Sequence, residues 1–117
     1  MALRRRVPRV STEHRPGKYL VRDEQFSGWR ECVVLDLSHL GVGLQVVGEA
    51  HPELIDRSIQ VEVEVGESST TSLRLTGMVR NLSPGKRGGT RIGVEFIGLS
   101  EREQAILKTM EYLDVRW

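Results

Sequence analysis

With a single cysteine, Cys32, the chain can form no internal disulfide and no cysteine-rich zinc site. Cys32 stands in an apolar stretch and is expected to be a buried, inert thiol. Net charge is only +1, so the chain as a whole is not a polyanion-binding tail. Aromatics make up 5% of residues, too few for the stacking platforms of single-strand nucleic-acid binders. No apolar run approaches membrane-spanning length. No apolar stretch follows the basic N-terminus, as a secretory signal would require, so the expected location is cytoplasmic. His14, His39 and His51 share no ligand spacing and read as surface or loop histidines. Apart from Asp36 and Ser38, no carboxylate pair, nucleophile–base set or metal-ligand cluster stands at motif spacing. The chain therefore does not read as an enzyme.

At 117 residues the chain fits one domain with a core of its own. Arg4, Arg5, Arg6 and Arg9 crowd a segment with little to bury. Residues 1–17 read as an arm and linker, with Pro16-Gly17 as a turn signal. Short strand patterns follow at Lys18–Arg22, Trp29–Leu37 and Val42–Val47. Beyond a connection containing Pro52, Ile59, Val61, Val63 and Val65 alternate with Gln60, Glu62 and Glu64. Leu73, Leu75, Gly77 and Val79 do the same, as do Ile92, Val94 and Phe96. That period of two marks strands with one buried and one wet face. Residues 66–70 read as a polar hairpin loop, and 81–89, with Ser83-Pro84-Gly85 and Gly88-Gly89, as a flexible one.

The period then changes. Ser100-Glu101-Arg102-Glu103 is a capping box, and Ile106, Leu107, Met110 and Leu113 form a helical stripe that would dock on the sheet. Consecutive strands with short polar loops favour antiparallel pairing. The expected architecture is mainly β: a small six-stranded antiparallel barrel over residues 18–99, a C-terminal helix over 100–117 that caps an end or side, and the flexible N-terminal arm.

The chain is organised around the turn Asp36-Leu37-Ser38-His39-Leu40-Gly41-Val42-Gly43. Asp36 and Ser38 are two apart, so on a strand end they would point to the same side. Gly41 and Gly43 leave bare backbone beside them. The turn reads either as a binding edge or as a tight hairpin closed by an Asx or Ser/Thr turn.

Arg5-Arg6-Val7-Pro8-Arg9, an Arg-x-x-x-Arg pattern, precedes Asp36-x-Ser38-x-x-Gly41 by one strand. Together with Gly77-x-Val79-Arg80, Gly93-Val94-Glu95-Phe96 and Leu99-Ser100, this order resembles the PilZ domain, the bacterial receptor module for cyclic di-GMP, over nearly the whole chain. The resemblance implies that Arg5 and Arg9 grip guanine and phosphate, since arginine forks onto both. Asp36 would accept from a guanine Watson–Crick edge, Ser38 would contact phosphate or base, and Gly41 would provide clearance and turn shape. An arginine just before the first motif, here Arg4, is associated in the family with a stacked, intercalated nucleotide dimer, which implies two ligands per chain. Arg6 either adds a phosphate contact or is solvated. Met78, on the wet side of its strand, either lines the outer base site or is a surface methionine.

No cofactor beyond the nucleotide is implied, and no membrane or nucleic-acid partner. The implied mechanism is a ligand-gated adaptor whose arm orders over the nucleotide. Its output goes through an effector protein or through self-association as a homodimer, in motility, biofilm or related pathways. The rival readings are an adaptor that needs no nucleotide and a nucleic-acid-binding barrel.

Overall fold

The computed structural model describes residues 10–21, 28–48, 50, 52–65 and 71–115, with the side chains of 10–14, 65, 71 and 111–115 left aside. Six strands are present: β1 (Val10–Val21), β2 (Arg30–Leu37), β3 (Gly41–Val46), β4 (Ser58–Val65), β5 (Thr71–Pro84) and β6 (Thr90–Phe96). All pairings are antiparallel, and they close a barrel in the order β1-β2-β3-β6-β5-β4. A helix, α1 (Glu101–Val115), follows. The expected six-stranded barrel with a C-terminal helix is the fold observed.

Among the described side chains, alternate residues point inward along the regular stretches of the strands, as the period of two requires. Val34, Leu44, Ile59, Val61, Leu75, Val79 and Ile92 are each at most 2% exposed. β-branched residues dominate because they pack well on a pleated surface. Helix α1 begins at the expected capping box. The Ser100 amide donates to Glu103 Oε1 at 2.9 Å, and the Glu103 amide donates to Ser100 Oγ at 3.1 Å. Leu107 is buried in the barrel core, with Ile106 and Met110 packed beside it. The side chain of Leu113 lies outside the described residues.

Two strand boundaries differ from the sequence reading. β1 begins at Val10, not Lys18, and runs straight through Pro16-Gly17. Pro16 lies one residue beyond the last β1–β4 pair, Gly17↔Val63, where β1 has a partner on one side only and a missing N–H costs little. Gly17 is required by crowding rather than by a turn: a Cβ there would stand 2.8 Å from Val34 Cγ2. β5 likewise continues to Pro84, so the loop expected over 81–89 shrinks to a short turn around Lys86–Gly88.

The cause is a bulge. The β5–β6 register shifts between Val79 and Asn81, which leaves Arg80 as the extra residue. Leu82 then falls opposite the buried Ile92, while Asn81 and Ser83 turn outward. A second bulge lies between Val34 and Asp36 on β2, and a third between Ser11 and Arg15 on β1. Bulges concentrate next to binding sites because they re-aim side chains.

Candidate functional site

The β2 bulge decides where Asp36 points. In unbroken alternation from Val34 it would face the core. With Leu35 as the extra residue, Asp36 pairs with Gly43 and turns to the outer face, while Leu37 pairs with Val42 and returns inside. Asp36 nonetheless remains 9% exposed, sunk into the wall of a cavity of about 520 Å³. That volume is in the range of small-molecule sites. The opposite wall carries Arg80, Asn81 and Glu95, and the exposed Leu40 stands at the rim.

The floor is bare because one register row crosses five strands through two glycines. Ser11 pairs with Asp36, Asp36 with Gly43, Gly43 with Gly93, and Gly93 with Asn81. A Cβ on Gly43 would stand 3.0 Å from both carboxylate oxygens of Asp36, so the carboxylate lies over that glycine. Two pairs further along, on the same face, Arg91 brings Nη2 to 3.9 Å from Asp36 Oδ2. Arg91 is half exposed, so this is a loose pair of small energetic weight. Its guanidinium still keeps a cation beside the anionic acceptor.

Arg80 is more firmly held. Its Nε donates to Glu95 Oε1 at 2.8 Å and its Nη1 to Asp56 Oδ1 at 3.2 Å. The bond to Glu95 is the main cause that raises its pKa above the usual guanidinium value. Two carboxylates thus occupy Arg80, and Asp36 and Arg91 line the same cavity.

Ser38 shapes the turn behind the cavity. β2 ends at Leu37, so Ser38 lies in the turn and not on a strand end beside Asp36. It is 2% exposed. Its hydroxyl accepts from the Leu40 amide at 3.0 Å and the Gly41 amide at 3.2 Å, and its own amide donates to the Gly41 carbonyl at 2.9 Å. This is the Ser/Thr turn that the residue type allows. Gly41 is equally structural: a Cβ would run into the carbonyl oxygen of Val94 on β6. The described structure therefore brings Asp36 to the cavity and sets Ser38 and Gly41 to build the turn behind it. Met78 is on the outer face, paired with Glu95, and does not line the cavity. Arg4, Arg5, Arg6 and Arg9 lie outside the described residues.

Arg91, Asn81 and the Gly43–Gly93 pair were not singled out by motif spacing. A signal existed for part of the set: Arg91, Gly93 and Glu95 form the wet face of an alternating strand, and a glycine there has no core role to explain it. Asn81 carried none, since its outward aim follows from the bulge at Arg80. Among the described residues, no group of His, Cys, Asp or Glu could hold a metal ion, and no helix is long and apolar enough to cross a membrane.

A closed antiparallel barrel thus carries a polar, glycine-floored cavity on its outer wall. A family model of the PilZ domain matches residues 3–112, and the chain belongs to the PilZ domain family. Among solved structures, it is similar to the PilZ domain of YcgR from Escherichia coli with c-di-GMP. The TM-score is 0.70 at 18% identity, covering 97% of this chain and 92% of that one. It is also similar to the Bacillus subtilis inhibitor of motility MotI/DgrA, with TM-score 0.72 at 15% identity over 97% of this chain and 54% of that one. Borreliella burgdorferi PlzA in complex with c-di-GMP matches with TM-score 0.55 at 17% identity, over 92% of this chain and 50% of that one. The chain thus spans nearly all of the YcgR PilZ-domain structure and about half the length of the MotI and PlzA chains. At these identities the likeness is one of fold. No curated protein matches.

Proposed function

We propose that this chain is a cyclic di-GMP receptor that closes its N-terminal segment over the nucleotide and signals through a partner protein. The observation that carries the reading is the placement of Asp36. A sunken carboxylate lies over a bare glycine floor, cross-strand from Ser11 and so beside the root of the segment that carries Arg9 and Arg5. Guanine offers N1–H and N2–H donors, which a carboxylate accepts, and O6 and N7 acceptors, which arginine serves. An anion on the barrel and cations on that segment answer those two needs between them. Family membership and the nucleotide complexes of YcgR and PlzA support the same ligand.

In this reading Arg5 and Arg9 grip base and phosphate, and Arg4 favours two stacked nucleotides, whose four phosphates need another cation. Closure of the segment creates a surface for an effector. The protein works in the cytoplasm as a non-catalytic receptor, and its likeness to the Bacillus subtilis inhibitor of motility supports motility as the output.

Isothermal titration with cyclic di-GMP on the wild type and on Arg5→Ala tests the reading. Binding that the substitution abolishes, with two nucleotides per chain, is expected. No heat at several temperatures, together with no nucleotide-induced NMR shifts, would overturn it. Proteolysis of the segment at equal rates with and without nucleotide would remove the closure step.

A further inference from the structure

The geometry points to Asn81 as a second base-reading side chain, one that donates to guanine O6 while Asp36 accepts from N1–H and N2–H. The inference rests on the cyclic di-GMP reading and deepens it. The bulge at Arg80 turns Asn81 outward opposite Gly93. A Cβ on Gly93 would stand 2.6 Å from both Oδ1 and Nδ2 of Asn81, so the amide lies over Gly93 as the Asp36 carboxylate lies over Gly43. Those two glycines are direct cross-strand partners, and the Cβ positions of such a pair are about 5 Å apart. A carboxylate from one flank and an amide from the other thus converge on the same bare floor. Among the described residues, nothing hydrogen-bonds the Asn81 amide, and it lines the cavity.

The spacing suits one edge of one base. On guanine, N2–H, N1–H and O6 stand side by side, donors next to an acceptor. Asp36 can only accept and the Asn81 amide can donate, so the pair matches that order. Adenine inverts it, with an acceptor at N1 and a donor at N6. The amide can flip to accept from N6, but the Asp36 carboxylate cannot donate to N1. Asn81 therefore adds affinity for guanine, and Asp36 sets the discrimination against adenine.

The test is calorimetric titration of the wild type, Asn81→Ala, Asn81→Asp and Gly93→Ala with cyclic di-GMP, and of the wild type with cyclic di-AMP. Thermal melts confirm that each variant is folded. Asn81→Ala should weaken cyclic di-GMP binding about tenfold, the share of one hydrogen bond. Asn81→Asp should weaken it further, because an acceptor then faces O6 beside a second carboxylate. Gly93→Ala should reproduce Asn81→Ala, since its methyl displaces the amide. Cyclic di-AMP should bind at least a hundredfold more weakly than cyclic di-GMP. A wild type that does not bind cyclic di-GMP would overturn both the receptor reading and this inference. A wild type that binds, with Asn81→Ala within twofold of it or Asn81→Asp tighter than Asn81→Ala, would leave the receptor standing and remove Asn81 from the site.

Discussion

Gly41 and Gly43 are two residues apart on one strand, yet adding a methyl group to each should have opposite consequences. At Gly41 the new Cβ runs into the Val94 carbonyl oxygen, and its next neighbours are the Val94 carbonyl carbon at 3.3 Å and Glu95 Cα at 3.5 Å. All three are backbone of β6, which is held in register by β3 on one side and β5 on the other. β6 cannot recede without breaking a ladder. Overpacking of this kind costs roughly 1–3 kcal/mol. The reduced freedom of the unfolded chain offsets about 0.4–1 kcal/mol, so Gly41→Ala should lose about 1–2 kcal/mol net. At Gly43 the atoms nearest the methyl all belong to the Asp36 carboxylate, the closest at 3.0 Å. That group is the end of a side chain and can swing by a few tenths of an ångström. The same unfolded-state gain then leaves Gly43→Ala as stable as the wild type or slightly more so. Binding should suffer instead, because a displaced carboxylate loses charge-assisted hydrogen bonds worth about 1.5–3 kcal/mol each. That corresponds to a tenfold or greater loss of cyclic di-GMP affinity. Urea unfolding and calorimetric titration on the two variants separate the effects. If Gly41→Ala unfolds at the wild-type midpoint, the packing argument fails. If Gly43→Ala binds within twofold of wild type, the carboxylate over the glycine is not part of the site.

Two further outcomes concern the scaffold. Ser38→Ala should cost about 1–2 kcal/mol in urea unfolding, because the amides of Leu40 and Gly41 lose their acceptor in a buried turn; a loss under 0.5 kcal/mol would mean that water replaces the hydroxyl. Burial pushes the Cys32 thiol up to about 12, against about 8.5 in an unfolded chain. Below the lower value its contribution to stability is complete. Between the two, the unfolded chain releases a proton that the folded chain keeps, and stability falls by up to about 1.4 kcal/mol per pH unit. Cys32→Ala should flatten that part of the stability–pH curve, and an unchanged slope would refute the assignment.

The barrel was legible because its strands keep strict alternation where they are regular: β4, the first half of β5, and β6 are all visible as patterns. The capping box at Ser100 was equally plain, being a local interaction between residues three apart. Bulges were not legible. One extra residue at Leu35 or Arg80 inverts every inward and outward assignment beyond it, and no residue type marks it. For that reason the aim of Asn81 and the extent of β5 were missed; the shared side expected of Asp36 and Ser38 fails separately, because β2 ends at Leu37 and Ser38 enters the turn. Pro16-Gly17 misled for a different reason. Both residues suit a turn, but here a mid-strand position with a partner on one side only tolerates the proline, and close approach to Val34 demands the glycine. Within the site, Asp36 was found from its motif, while the floor it leans over depends on the pairing of Gly43 with Gly93, a contact between residues fifty apart.

The register of β1 has a consequence for the energetics of closure. Ser11 faces Asp36 directly, and an extended chain covers at most about 3.5 Å per residue. Whatever course the chain takes, Arg9 is tethered within about 7 Å of Ser11 and Arg5 within about 20 Å. Under the closure proposed above, a tether this short supplies the arginines at an effective concentration on the order of millimolar or above. A nucleotide held first by the barrel alone would meet its second set of contacts as an intramolecular event. Lengthening the chain between Arg9 and Ser11 would dilute that set without altering a single contact in the bound state.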